Sequence, residues 1–207
     1  MIGIFGGTFD PIHYGHLRSA LEVKEIFNLT EVRLIPSAQP PHRQQPVATA
    51  SMRLQMLELA ISNQPSFVAD DRELKREGRS YMVDTLQSLR EDFPVQSLLL
   101  FMGSDAFNKL TSWHRWQDLF TYAHVVVLTR PGFITLALDA FFTARLSTEK
   151  QALADHDAGR LFFQPVTQLD ISATAIRQLV AAGKNPGFLL PDTVITAIKQ
   201  NQLYQEN

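Results

Sequence analysis

Short apolar runs and amphipathic stretches alternate along the chain. "MIGIF" predicts a strand, and "HLRSALEVKEIF" follows with Leu17, Leu21 and Phe27 near helical spacing. "EVRLIPS" predicts the next strand, closed by Pro36, and "AQPPHRQQPVAT" has too many prolines for regular structure. "SMRLQMLELAIS" predicts a helix with Met52, Met56, Leu57 and Leu59 on one broad face and Ser51 as its N-cap. "FVADDREL" predicts a short strand and "MVDTLQSLREDF" a helix. "SLLLFMG" and "HVVVLT" are continuous apolar runs of the kind a buried parallel strand shows, with a helical stretch through Trp113 and Trp116 between them. An irregular helical pattern fills Thr135 to Asp157, and "LFFQPV" predicts the last strand. "SATAIRQLVAAG", stopped by Gly183, and "PDTVITAIKQN" predict two closing helices.

This order predicts an α/β fold: a Rossmann-like, doubly wound, mostly parallel sheet with helices on both faces. No repeat, low-complexity block or linker divides the 207 residues, so a single domain is expected over 1–207. Ligands bind such sheets beyond the carboxyl ends of the strands. "GGTFDPIHYGH", "GSD" and "TRPG" all stand at such ends.

Composition narrows the partners. Apolar residues make up 45% and charged residues 19%, with a formal charge of −2, so no global positive field invites nucleic acid or a membrane. A polyanionic ligand would need a local cluster of donors. Cysteine is absent, which removes disulfides and thiolate chemistry and fits a reducing interior. No apolar run approaches the roughly 20 residues of a membrane helix, and no basic stretch precedes the first residues as in a signal peptide. A cytoplasmic protein is expected. Nothing in the pattern fixes an oligomeric state.

The chemistry concentrates in "GGTFDPIHYGH", Gly6 to His16. Gly6 and Gly7 allow a tight turn and close approach of a ligand. Asp10-Pro11 reads as a helix start, with Asp10 as cap and Pro11 in the first turn. His13 and His16 then share one face of that turn, where free N–H groups and the helix dipole favour an anion. Two imidazole donors beside a helix start read as a phosphate site. Taken alone, the pair reads equally well as two surface histidines. No further residue stands at a spacing that completes a zinc site. "ISATAIR", Ile171 to Arg177, taken alone reads as a helix capped by Ser172 with a solvated arginine.

With "FGGTFDPIHYGH", "PPHR", "GRSYMVDTL", "GSD", "LTSWHRW", "TRPG" and "ISATAIR" in this order, the chain resembles the H-x-G-H nucleotidyltransferases. Among these it is most similar to the bacterial nicotinate-nucleotide adenylyltransferase family, over nearly its whole length. The resemblance implies the reaction of ATP with nicotinate mononucleotide to give nicotinate adenine dinucleotide and pyrophosphate, in NAD biosynthesis. It implies that His13 and His16 bind the triphosphate and stabilise charge on the phosphorus under attack. Gly6, Gly7, Thr8 and Phe9 would form the loop around the nucleotides, and Gly103 and Asp105 would approach the adenosine ribose. Ser172 and Arg177, with Ile171 ahead of them, would hold the departing pyrophosphate. His42 and Arg43 would add phosphate contacts, and Mg²⁺ would come with the ATP phosphates.

On the acceptor side, Trp113 matches the tryptophan on which the pyridine ring stacks. The backbone N–H groups of Val83 and His114 match those that meet its carboxylate. Met82 stands where the family has a threonine, which removes a hydroxyl contact. Trp116 reads as a core aromatic, Asp84 as ordering its own helix, and Asp70 and Asp71 as solvated strand-end charges. Two rival expectations remain: transfer to nicotinamide mononucleotide or to both acceptors, and a silent nucleotide-binding regulator. A regulator would be expected to lose His16 or Arg177, and the chain keeps both. The class I tRNA synthetases share the H-x-G-H loop but are longer and carry a lysine-rich second signature missing here.

Overall fold

The structure is a computed structural model that describes residues 1–40, 45–129, 138–167 and 169–205. His42 and Arg43 of "PPHR", and all of "TRPG" after Thr129, lie outside the described residues. The elements run β1 (Ile2–Gly7), α1 (Tyr14–Ile26), β2 (Glu31–Pro36), α2 (Ala50–Ile61), β3 (Phe67–Ala69), α3 (Arg72–Lys75) and α4 (Met82–Asp92). They continue with β4 (Leu98–Gly103), α5 (Ser104–Phe107), α6 (Leu119–Tyr122), β5 (His124–Thr129), α7 (Ala140–Thr143) and α8 (Gln151–Ala154). β6 (Leu161–Pro165), α9 (Ala173–Ala181) and α10 (Asp192–Gln200) close the chain.

Among the described residues, the six strands form one sheet in the order β3-β2-β1-β4-β5-β6, and every pairing is parallel. Side-chain alternation assigns the two faces. Leu99, Phe101, Val126 and Leu128 pack with residues of α1, α2, α9 and α10. Leu98, Leu100, Met102, Val125 and Val127 pack with those of α4, α6 and α7. Both faces are therefore covered, which is why these strands read as unbroken apolar runs. Gly3 in β1 leaves space for its neighbours: a Cβ there would lie 2.7 Å from Leu29 Cδ1 and 3.1 Å from the Phe101 ring.

The order reverses direction between β1 and β4. Their carboxyl ends, Gly7 and Gly103, flank the crevice where open α/β sheets take ligands.

Several boundaries differ from the sequence expectation. The N-cap of α2 is Thr49, whose hydroxyl accepts from the Met52 amide, and Ser51 lies inside the first turn. "FVADDREL" gives a strand of three residues and then a helical turn. Asp70 stops the strand and is buried rather than solvated: its carboxylate accepts the Arg72 amide and pairs with Arg33 at 2.8 Å and Arg72 at 2.9 Å. The stretch through Trp113 and Trp116 forms two 3₁₀ turns, Leu110–Ser112 and Trp116–Asp118, ahead of α6. Between 138 and 157 the irregular pattern resolves into the single turns α7 and α8. At α9 the caps follow the sequence. Ser172 accepts from the Ala175 amide, and Gly183, at φ 67°, donates to the Val180 carbonyl.

His124 opens β5 fully buried. Its Nε2 meets the His156 carbonyl at 2.8 Å and its Nδ1 accepts the Arg160 amide at 3.0 Å, which fixes the neutral Nε2–H tautomer. We expect His124→Leu to cost about 1–3 kcal/mol, because it leaves the part-buried His156 carbonyl and Arg160 amide without their partner. Urea denaturation monitored by circular dichroism measures this directly.

Candidate active site

The turn after β1 is held by two buried charged side chains. Arg53, on α2, is 1% exposed, and its guanidinium donates to three carbonyls: Thr8 at 2.7 Å, Ser37 at 2.7 Å and Ala48 at 3.2 Å. These carbonyls belong to the loops after β1 and β2 and to the segment leading into α2. Asp10 is 5% exposed. Its carboxylate accepts the Val47 amide at 2.9 Å, the Ala48 amide at 3.2 Å and the Tyr204 hydroxyl at 2.7 Å.

Asp10 is therefore not the cap of α1. With its carboxylate committed elsewhere, the helix begins later, at Tyr14, with extended His13 in the N-cap position. The amides of Tyr14, His16 and Leu17 bond to the carbonyls of Leu189, His13 and His13. Gly15 is left with no backbone acceptor among the described residues, so the first turn offers fewer free N–H groups than expected.

The two imidazoles do come together. The rings of His13 and His16 lie 3.7 Å apart, inclined by 31°, and Phe9 meets His16 edge-on at 5.1 Å. Phe9 adopts φ 50° and buries its ring against His16. Gly15 gives the stack room: a Cβ there would lie 3.0 Å from His13 and 3.4 Å from the Ile171 carbonyl. His13 is buried, and its Nδ1 has no hydrogen-bond partner among the described residues. Burial pulls its pKa down to about 4, so the imidazole is neutral at pH 7 and gives one N–H.

The second signature element reaches the same turn. Arg177, on α9, donates to the Asp10 carbonyl at 2.7 Å and lies 3.9 Å from its carboxylate, with over a quarter of the side chain exposed. Ile171 and the exposed Ser172 hydroxyl stand where α9 begins, beside Gly15. Segments 167 residues apart are joined in this way.

Across the crevice, β4 ends at exposed Gly103 and Asp105 lies exposed in α5. α4 starts at Met82, so the amides of Met82 and Val83 have no intrahelical acceptor. The Val83 side chain is buried in the core, which leaves its amide as the usable group. The Met82 methyl presses against Gly6, where a Cβ would collide with it. The Tyr81 ring lies over that of exposed His114 at 4.3 Å, joining "SYM" to "SWHRW". Trp113 is half-buried, and Trp116 packs on Phe141 and Phe142. Asp84 lies in the first turn of α4. Thr85 anchors that turn, donating to Glu73 at 2.6 Å and accepting from Arg76.

Sequence reasoning missed Arg53, the structural role of Asp10, and Tyr204. Arg53 carried a signal, since it stands three and four residues before Met56 and Leu57 on an apolar helix face. Tyr204 carried none, because its partner is 194 residues away.

Comparison with known proteins shows the family and the fold. Residues 4–179 match the cytidylyltransferase-like family model. A Methylococcus capsulatus protein named "Probable nicotinate-nucleotide adenylyltransferase" is 49% identical over 208 residues, 99% of each chain. The Aeromonas salmonicida protein of the same name is 44% identical over 99% of this chain and 97% of its own. The chain belongs to the nicotinate-nucleotide adenylyltransferase family. Its fold matches that of the Plasmodium falciparum nicotinic acid mononucleotide adenylyltransferase complexed with NaAD, with a TM-score of 0.72 at 17% identity. That match covers 98% of this chain and 96% of the other. Among the described residues of this adenylyltransferase-family chain, no helix is long and apolar enough to cross a membrane.

Burial also lowers the pKa of His124 below the usual 6.5, partly offset by its bond to the His156 carbonyl. In the unfolded chain both His13 and His124 take up a proton near 6.5, and in the folded protein only at lower pH. Their contribution to stability is thus complete above about 6.5 and is lost as pH falls below it, for His13 down to about 4. We expect the unfolding free energy to fall by on the order of 1 kcal/mol per pH unit from His13 across that window. Urea midpoints across that range, with His13→Asn showing the shallower slope, check this.

Proposed function

We propose that this chain transfers the adenylyl group of ATP to nicotinate mononucleotide, releasing pyrophosphate and forming nicotinate adenine dinucleotide. The observation that carries the proposal is the stacked His13–His16 pair at the start of α1, with Arg177 tied to the same turn through the Asp10 carbonyl. The names of the full-length relatives support it.

An acceptor phosphate oxygen attacks the α-phosphorus of ATP, and the bond from that phosphorus to the β-phosphate oxygen breaks. The nucleophile is already an oxyanion, so no general base is required. Alignment of two polyanions and stabilisation of charge at phosphorus are what the protein must supply. We assign His13 and His16 to the triphosphate. A polyanion arriving beside neutral His13 raises its proton affinity, so binding and protonation reinforce each other. Arg177 and Ser172, beside Ile171, receive the leaving pyrophosphate. Gly6, Gly7 and Thr8 pass close to the nucleotides, with Phe9 beneath them, and Gly103 and Asp105 face the ribose. His42 and Arg43 are proposed as further phosphate contacts. The groups assigned to the phosphates are imidazole, guanidinium and hydroxyl rather than carboxylate. Mg²⁺ is accordingly proposed to enter as part of the ATP substrate, on phosphate oxygens and water.

The pyridine ring is assigned to Trp113, and its carboxylate to the amides of Val83 and His114. The amides that open α4 suit an anion. A carboxamide would set its own N–H₂ against such donors and leave them unmatched. Met82 brings no hydroxyl to this site, so acid-over-amide preference rests on the backbone groups.

Pyrophosphate release with ATP and Mg²⁺ tests the proposal, with nicotinate and nicotinamide mononucleotides compared at equal concentration. We expect kcat/KM to favour the acid by on the order of 10²-fold. Equal rates would reassign the chain as a dual-specificity enzyme, and release with neither would remove the proposed acceptor. His16→Ala should lower kcat by about 10²–10³-fold while circular dichroism stays unchanged.

A further inference from the structure

We propose that Tyr204 is a positioning residue for the phosphate site, acting on Arg177 through Asp10. The inference rests on the proposed function insofar as Arg177 meets phosphate oxygens. Tyr204 follows α10 near the end of the described chain, and its ring is 7% exposed. Its hydroxyl donates to Asp10 Oδ1 at 2.7 Å. The same residue's carbonyl accepts the Arg177 guanidinium at 2.7 Å. The path from tail to site is thus two hydrogen bonds and one residue long.

The turn that ends α10 delivers Tyr204 to Asp10: Gln202, at φ 51°, donates to the Lys199 carbonyl and Leu203 to that of Ile198, and Tyr204 follows at φ 63°. The Asp10 carboxylate is buried, and Tyr204 is its only side-chain hydroxyl donor among the described residues. Without that donor, Oδ1 keeps only the longer bond from the Ala48 amide at 3.2 Å. Asp10 can then re-orient toward Arg177, which already lies 3.9 Å from Oδ2, and draw the guanidinium away from the crevice. The hydroxyl therefore keeps Asp10 turned to the tail and leaves the Arg177 side chain available to an incoming phosphate.

A double-mutant cycle between Tyr204→Phe and Arg177→Ala tests this, read as pyrophosphate release with ATP, Mg²⁺ and nicotinate mononucleotide. Tyr204→Phe keeps the buried ring. It should lower kcat about 10-fold with KM for the mononucleotide unchanged. In the Arg177→Ala background it should have no further effect, within two-fold. A further 10-fold loss in that background, or no loss in the wild type, would overturn the proposal. Should Tyr204→Phe not fold, 3,5-difluorotyrosine at position 204 keeps the hydroxyl and makes it a stronger donor. A change in kcat that disappears with Arg177→Ala then supports the coupling, and an unchanged kcat refutes it. If the wild type turns over no acceptor, the proposed reaction has failed, and the cycle is read by calorimetry of ATP with Mg²⁺. The same non-additivity in Kd is then expected, and additive effects overturn the coupling.

Discussion

A carboxylate taken out of water costs several kcal/mol unless its lone pairs are met, and Asp10 meets that demand with donors from two distant parts of the chain. The amides of Val47 and Ala48 bring in the segment before α2, and the Tyr204 hydroxyl brings in the tail. Its backbone carbonyl brings in α9 through Arg177. Arg53 does the converse with a buried cation, collecting carbonyls from the loops after β1 and β2. Burial alone would push the Arg53 guanidinium toward losing its proton, and the nearby Asp10 and Glu73 charges oppose that. Removal of Asp10 would leave the Arg53 charge buried without the nearby opposite charge that offsets its burial. The crevice above the sheet is shaped by this requirement more than by apolar packing, which is complete on either side of it.

The centre of the sheet was legible because β4 and β5 are buried on both faces, so their apolar content shows without tertiary information. Leu98 to Met102 and Val125 to Leu128 are read as strands from composition alone. The α9 caps were legible for a related reason, since Ser172 and Gly183 act on residues within three or four positions. What failed was local inference where a distant partner takes over. Asp10-Pro11 has the local form of a helix start, yet the carboxylate is drawn to Val47, Ala48 and Tyr204, and the helix starts four residues later than Asp10. Asp70 likewise has the composition of a solvated strand end and instead lies buried between Arg33 and Arg72. Of the candidate site, the residue types were legible and their support was not.

A protein with formal charge −2 holds no long-range attraction for a polyanion, so its affinity must come from groups that act at contact. His13 illustrates how such a group is prepared. Burial keeps it neutral, which avoids mutual repulsion with His16 at 3.7 Å while no ligand is bound. On the proposed assignment, a phosphate placed against it would oppose the effect of burial, because an anion stabilises the imidazolium that burial disfavours. Two permanently charged side chains stacked at the same distance would repel each other in the free protein. Gly15 gives this arrangement room: a Cβ there would lie 3.0 Å from the His13 ring and require it to shift by a few tenths of an ångström. The H-x-G-H spacing therefore states a packing condition as well as a chemical one. The glycine leaves close space for a buried, neutral imidazole at the helix start, stacked on His16.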